Sequence, residues 1–177
     1  MKDVDIAVAH RAAEFRSLMA GFPSGVTVVT TVDADGGPLG LTCSSLSAVS
    51  AKPPLLLVCI DNRSSTLKAL RDHGQFAVNL LHRDGREAAR IFAAGGADRF
   101  RSVRWTPTAG ARLPRLDLDA RSVAECRVHT LQPAGDHTVV IGEVRAVEHL
   151  TPTAPLMYGL RQYAVWPGGP ADRKEDR

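Results

Sequence analysis

Long apolar runs are missing from this chain of 177 residues. None approaches the roughly 20 residues that a membrane-spanning helix needs. The N-terminal stretch MKDVDIAVAHRAAEFR has no signal-like apolar core, so a cytoplasmic protein is expected, with no membrane partner. Cysteine is scarce: Cys43, Cys59 and Cys126 are an odd number and far apart, which reads as buried free thiols in a reducing compartment. With no CxxC pair and no HxxxH spacing, no metal is expected. Also absent are GxGxxG after the first strand, GxxxxGK[ST], GxSxG and HExxH, so any nucleotide must be bound by other means. AAGGADRF has glycines without the spacing of a phosphate loop. Aromatic residues make up only 5% and never interleave with a block of arginines, so nucleic acid is not the expected partner despite a net charge of +3. A mildly basic surface equally suits a small phosphate ester.

What is present is an ordinary globular composition, 44% apolar and 23% charged, with no internal repeat. The length favours one domain, over residues 1–168, followed by a disordered tail at 169–177. Phe15, Leu18, Met19 and Phe22 recur at helical spacing, which predicts an amphipathic opening helix ended by Gly21 and Pro23. GVTVVTTV and PLGLTCSS predict a hairpin around DADGGP. PPLLLVCID reads as a strand covered on both faces. Ser64 or Ser65 can cap a helix bearing Leu67 and Leu70 and stopped by Gly74, and QFAVNLLH returns as a strand.

Asp84 and Glu87 have capping-box spacing before a third helix with Ala88, Ile91 and Phe92 on its buried side. Residues 94–120 read as a long irregular connection, of the kind that usually covers something. Beyond it, RSVAECRVHTL places Ser122, Ala124, Cys126 and Val128 on one side, and TVVIGEVRAVEHL places Val140, Gly142, Val144 and Ala146 on one side. The two predict a hairpin, and PLMYGLRQYAVW one more strand. Hairpins with interposed helices and no βαβ alternation imply a mainly β fold, a closed or partly closed antiparallel barrel with flanking helices.

The stretch GLTCSSLSAVSAKPPLLLVCIDNRSS concentrates hydroxyls between two strands and just before a helix. Thr42, Ser44, Ser45, Ser47 and Ser50 offer hydroxyls, and Gly40, Cys43 and Ala48 let a flat ligand approach the backbone. Backbone N–H groups can hold a planar heterocycle, and the helix start after Arg63, Ser64 and Ser65 can hold a phosphate. Ser and Thr equally favour solvent-facing edges and helix caps.

FPSGVTVVTT, GLTCSSLSAVSAKPPLLLVCIDNRSSTLKAL, FAVNLL, DRF, ECRVHTLQPAGDHTVVIGEV and PLMYGLRQY occur in an order that resembles flavin reductases, the small components of two-component flavin-dependent monooxygenases. The resemblance runs from about Phe15 to Trp166. It implies a split β-barrel of Greek-key antiparallel type, FMN or FAD as flavin, NADH or NADPH as hydride donor, a homodimer, and a separate monooxygenase that receives reduced flavin.

By the same resemblance, Thr42, Cys43, Ser44 and Ser45 match the segment facing the flavin ring and ribityl chain, with Cys43 in place of the common alanine. Ser50, Arg63, Ser64 and Ser65 match positions near the ribityl phosphate, with Asp61 and Asn62 beside them as further cofactor-binding candidates. Phe92 and Phe100 match aromatics near the flavin, although either could be core. His137 matches a histidine near the nicotinamide and is the candidate catalytic residue. Tyr158, Arg161 and Tyr163 sit where the last strand approaches the cofactors, with LRQY replacing a glycine-containing turn. Two rivals stay open at this point: a flavin carrier or sensor that turns nothing over, and a reductase whose tightly held flavin serves another acceptor.

Overall fold

The computed structural model describes residues 2–94, 96 and 98–167, with side chains from Val8 onward. In chain order the elements are α1 (Lys2–Ala20), β1 (Ser24–Gly25), β2 (Thr27–Val32), β3 (Pro38–Cys43), β4 (Ser47–Ala51), β5 (Pro54–Asp61), α2 (Ser65–His73) and β6 (Gln75–Leu81). There follow α3 (Arg86–Ala93), β7 (Trp105–Pro107), β8 (Pro114–Leu116), β9 (Ala120–Ala134), β10 (His137–His149), β11 (Leu156–Gly159) and β12 (Gln162–Val165). The tail at 169–177 lies outside the described residues.

Seven strands form one antiparallel sheet in the order β3-β2-β6-β9-β10-β5-β4. The sheet curls until its β3 end meets β5, and there a side chain replaces the missing ladder. Ser45 Oγ accepts a hydrogen bond from the Cys59 N–H at 2.8 Å and donates to the Cys59 carbonyl at 3.2 Å. The barrel is therefore split along this seam, as the sequence predicts.

The β-branched residues of β2 serve two cores. Val29 packs with Val58, Ile60, Phe76, Val78, Cys126 and Val140 inside the barrel, where Leu67 and Leu70 of α2 join them. Val26 and Val28 point the other way, to Ala88, Ala89 and Phe92 of α3 and Leu113 and Leu116 around β8. The connection at 94–120 is thus not irregular throughout. It carries the β7–β8 hairpin, and β8 is locked onto the sheet by the fully buried Asn79. The Asn79 amide accepts from the Leu116 N–H at 2.9 Å and donates to Val28 O and to Thr30 Oγ1, both at 3.2 Å, while Thr30 Oγ1 donates to Pro114 O at 2.6 Å.

Several local expectations are corrected. The α3 helix starts after Gly85 with no side-chain cap, because Asp84 turns back so that its N–H donates to His82 Nδ1 at 3.1 Å. Only the inner face of β5 is fully buried, at Val58 and Ile60, since the outer face is half-covered. In β9, Val123 is buried as well as Ser122 and Cys126, because β9 has packed neighbours on both faces beside β6. A register shift between Val144 and Ala146 carries Ala146 out to solvent. The last segment is two strands, not one, with β11 paired to both β12 and β1. Helix α1 forms as predicted, yet its apolar residues stay outside the core: Phe15 is 62% and Leu18 72% exposed.

Candidate flavin and nicotinamide site

The hydroxyl-rich segment begins on β3, an edge strand of the sheet, so every second N–H along it faces away from β2 and has no ladder partner. Hydrogen bonding sorts the hydroxyls into two groups. Thr42 Oγ1 donates to Ala89 O at 2.6 Å, Ser50 Oγ accepts from the Lys52 N–H at 3.1 Å, and Ser45 closes the seam. These three are engaged internally. Ser44 is exposed, and Ser64 precedes α2 without making a side-chain cap. Ser44 and Ser65 therefore present hydroxyls to open grooves.

One groove, of about 940 Å³, lies between this segment, α1 and the β11–β12 hairpin. Ser44, Ser45 and Ser47 form its floor, Tyr158 and Arg161 one wall, and Phe15, Met19 and Phe22 the other. Gly25 lies in the floor too, and a Cβ there would meet nothing within 4 Å. An adjoining recess brings Thr42 and Ser44 to Tyr158 and Tyr163, whose rings meet edge-on at 5.2 Å. Burial pushes the Tyr163 phenol above its ordinary pKa. A second groove, of about 420 Å³, runs past the start of α2, lined by Gly40, Ser65, Thr66, Arg99 and Phe100.

The loop between β5 and α2 is tied to the turn before β10. The Asn62 N–H donates to Asp136 O at 3.0 Å, Asn62 Oδ1 accepts from Thr138 Oγ1 at 2.7 Å, and Arg71 Nη2 donates to that same hydroxyl at 2.8 Å. His137 consequently stands directly across the ladder from Asp61, with Nδ1 2.7 Å from Asp136 Oδ1. Hydrogen bonds from the Arg63 side chain and backbone hold the Asp61 carboxyl well below the usual carboxylate range. Arg63 pairs with Asp61 at 2.7 Å from a side chain that is 90% exposed.

The positions matched by resemblance thus fall into three places: Thr42 to Ser45 with Tyr158, Arg161 and Tyr163; Ser65 with Phe100; and Asp61 to Ser64 with His137. Ser50, Asp61 to Ser64 and His137 line none of these grooves, and two further positions are buried. Phe92 is 1% exposed and belongs to the core, its ring edge-on to Phe100 at 5.0 Å, because α3 turns it under β3. Cys43 also points inward, its Sγ 3.1 Å from Ser45 Oγ, and burial raises its thiol pKa. Sequence reasoning missed Ser24, Gly25 and the α1 face as groove walls. The FPSG stretch carried the only hint of the first two.

An edge strand of approachable N–H groups, unengaged hydroxyls, a tyrosine pair and a helix start suit a planar heterocycle with a phosphate-bearing tail. Hydroxyls answer a ribityl chain, and the start of α2 answers a phosphate.

Residues 19–167 match the model of the flavin reductase like domain. Over 154 residues the chain is 51% identical to a flavin reductase (NADH) of Kitasatospora aureofaciens, covering 86% of this chain and 81% of that one. Over 157 residues it is 47% identical to a flavin reductase (NADPH) of Lentzea aerocolonigenes, covering 88% and 90%. Among solved structures, the NADH:FAD oxidoreductase of Streptomyces globisporus C-1027, in complex with NAD and FAD fragments, superposes with a TM-score of 0.83 at 30% identity, covering 89% of this chain and 93% of that one. The chain belongs to the flavin reductase-like domain family.

Proposed function

We propose that the protein is an NAD(P)H:flavin oxidoreductase that reduces FMN or FAD with NADH or NADPH and releases the reduced flavin to a separate monooxygenase. The observation that carries this reading is the set of hydroxyls at Ser44 and Ser65, each facing an open groove and without a hydrogen-bond partner among the described residues, beside the edge N–H groups of β3. The flavin, when bound, supplies the hydride acceptor for reduced nicotinamide. The chain's part is to hold two planar rings in contact. The N–H groups of the β3 edge and the segment after it orient one ring and stabilise negative charge developing on it. Ser44 holds the ribityl chain, Ser64 and Ser65 with the start of α2 hold the phosphate, and Tyr158 and Tyr163 exclude water from one side. His137, fixed by Asp136 and by the Asn62 ties, donates a hydrogen bond to the nicotinamide carboxamide.

An open groove with half-exposed walls suits a flavin that comes and goes rather than one held permanently. The exposed stripe of Val8, Phe15, Met19 and Phe22 on and just after α1, flanked by Leu18, is apolar surface that a second copy of the chain would bury, giving a homodimer with the groove near its interface. Three free thiols fit a cytoplasmic location.

Dialysis tests the reading. Protein saturated with FMN should lose it to flavin-free buffer and regain nicotinamide oxidation on adding FMN back. Retention of flavin through exhaustive dialysis, with ping-pong kinetics toward another acceptor, would overturn the substrate role.

A further inference from the structure

The large groove is walled by two arginines and by no carboxylate. Arg16 projects from α1 and Arg161 from the β11–β12 turn, and neither guanidinium has a carboxylate partner among the described residues. The contrast within the molecule is direct. A separate groove of about 590 Å³ beside α2 is lined by Asp33, Asp35 and Asp72, and most arginines in the ion pairs described, such as Arg63, Arg115 and Arg127, sit within 3.0 Å of a carboxylate.

Arg161 is also held in a backbone conformation that its residue type disfavours. Leu160 has φ 50° and Arg161 φ 61°, both left-handed, in a two-residue hairpin loop where Gly and Asn are the usual occupants. The surroundings enforce this turn. The Leu160 N–H donates to Ala20 O at 2.6 Å at the end of α1, and Gly159 lies so close that a Cβ there would be 3.2 Å from Pro23. Seating the hairpin on the end of α1 brings Arg161 to the same groove as Arg16. Strain of this kind persists where it serves a site.

We propose that Arg16 and Arg161 form a phosphate clamp that makes the protein prefer phosphorylated over phosphate-free substrates. This rests on the reductase reading above. Two cations facing one groove with no carboxylate in its lining concentrate anions there, and guanidinium forks match phosphoryl oxygens. Since the ribityl phosphate is assigned to the start of α2, the clamp's phosphoryl group comes from the adenylate part of FAD or from the nicotinamide dinucleotide, and the test separates these sources.

Dissociation constants for riboflavin, FMN and FAD are measured by flavin fluorescence on the unmodified protein and on Arg16→Gln, Arg161→Gln and the double variant. In parallel, KM is measured for NADH against a phosphate-free N-substituted dihydronicotinamide. The clamp predicts that the preference for FAD over FMN, or for NADH over the phosphate-free donor, falls roughly tenfold per charge removed. It also predicts that the salt dependence of that preference weakens. The arm that moves identifies the source. Arg161→Gly should lower the preference without lowering Tm, because glycine accepts φ 61° freely. Unchanged preferences in both arms would overturn the clamp, as would an Arg161→Gly variant that lost Tm and kept its preference. If the unmodified protein consumed no reduced nicotinamide with any flavin, the reductase reading would fail, while the fluorescence arm would still decide the clamp.

Discussion

Ser45 shows how one side chain can stand in for a strand. Its hydroxyl occupies both backbone groups of Cys59 and lies against the Cys43 thiol, so it closes the barrel seam immediately behind Ser44. Ser45→Ala leaves the Cys59 N–H unsatisfied and should destabilise the fold by about 1–3 kcal/mol, with weaker flavin binding. Ser44→Ala should weaken binding without moving Tm. Thermal melts beside flavin titrations separate the two. Gly142 is a packing requirement of another kind: a Cβ there would stand 2.4 Å from Phe76 Cζ and 3.1 Å from Cys126 Cβ. Gly142→Ala should cost about 1–3 kcal/mol by overpacking, read as a lowered denaturant midpoint at unchanged slope. Beside it, burial pushes the Cys126 thiol up to about 12 from an ordinary value near 9.0. The folded state holds that proton to higher pH than the unfolded state does. Its contribution to stability is therefore full below about 9 and is lost as pH rises toward 12. Urea unfolding at pH 8 and pH 10.5 should show this loss, reduced in Cys126→Ala.

At the scale of elements, the β7–β8 hairpin packs Leu116 and Trp105 against the α3 core, and Asn79 ties its backbone to the sheet. Replacing Asn79 with Leu removes its bonds to Leu116, Val28 and Thr30, leaving buried groups without partners. A loss of about 2–4 kcal/mol is expected, with faster hydrogen exchange over 114–116. Unchanged exchange there would contradict the lock. This element also marks where sequence reading stopped. The strands of the barrel were legible because Val28 to Thr31, Leu55 to Ile60 and Val139 to Ile141 are dense in β-branched or apolar residues. The β7–β8 pair was not, because three-residue strands carry no periodicity, and the side chains that tie them to the sheet, Asn79 of β6 and Thr30 of β2, lie far away in sequence. The α3 start was misplaced for a similar reason: Asp84 has the right spacing for a cap, but His82 competes for its backbone. The cradle itself was readable as a cluster of hydroxyls, while the engagement of Ser45 and Thr42 depends on contacts 14 and 47 residues apart in sequence.

For the whole molecule, the α1 stripe was legible as a helix face but not as an uncovered one, since periodicity says which side is apolar and not what it meets. If a second copy covers it, Phe15→Glu with Leu18→Glu should shift the mass measured by light scattering from two chains to one and weaken flavin binding through the exposed groove wall. A single-chain mass for the unmodified protein would contradict the dimer. The central claim is that flavin is a substrate of this barrel. The most direct measurement is the steady-state loss of reduced-nicotinamide absorbance with flavin-stripped protein, varying free FMN and FAD against NADH and NADPH. No turnover is expected without added flavin, and a rate that rises and saturates with it. Tight flavin binding with no nicotinamide consumed in any combination would contradict the account.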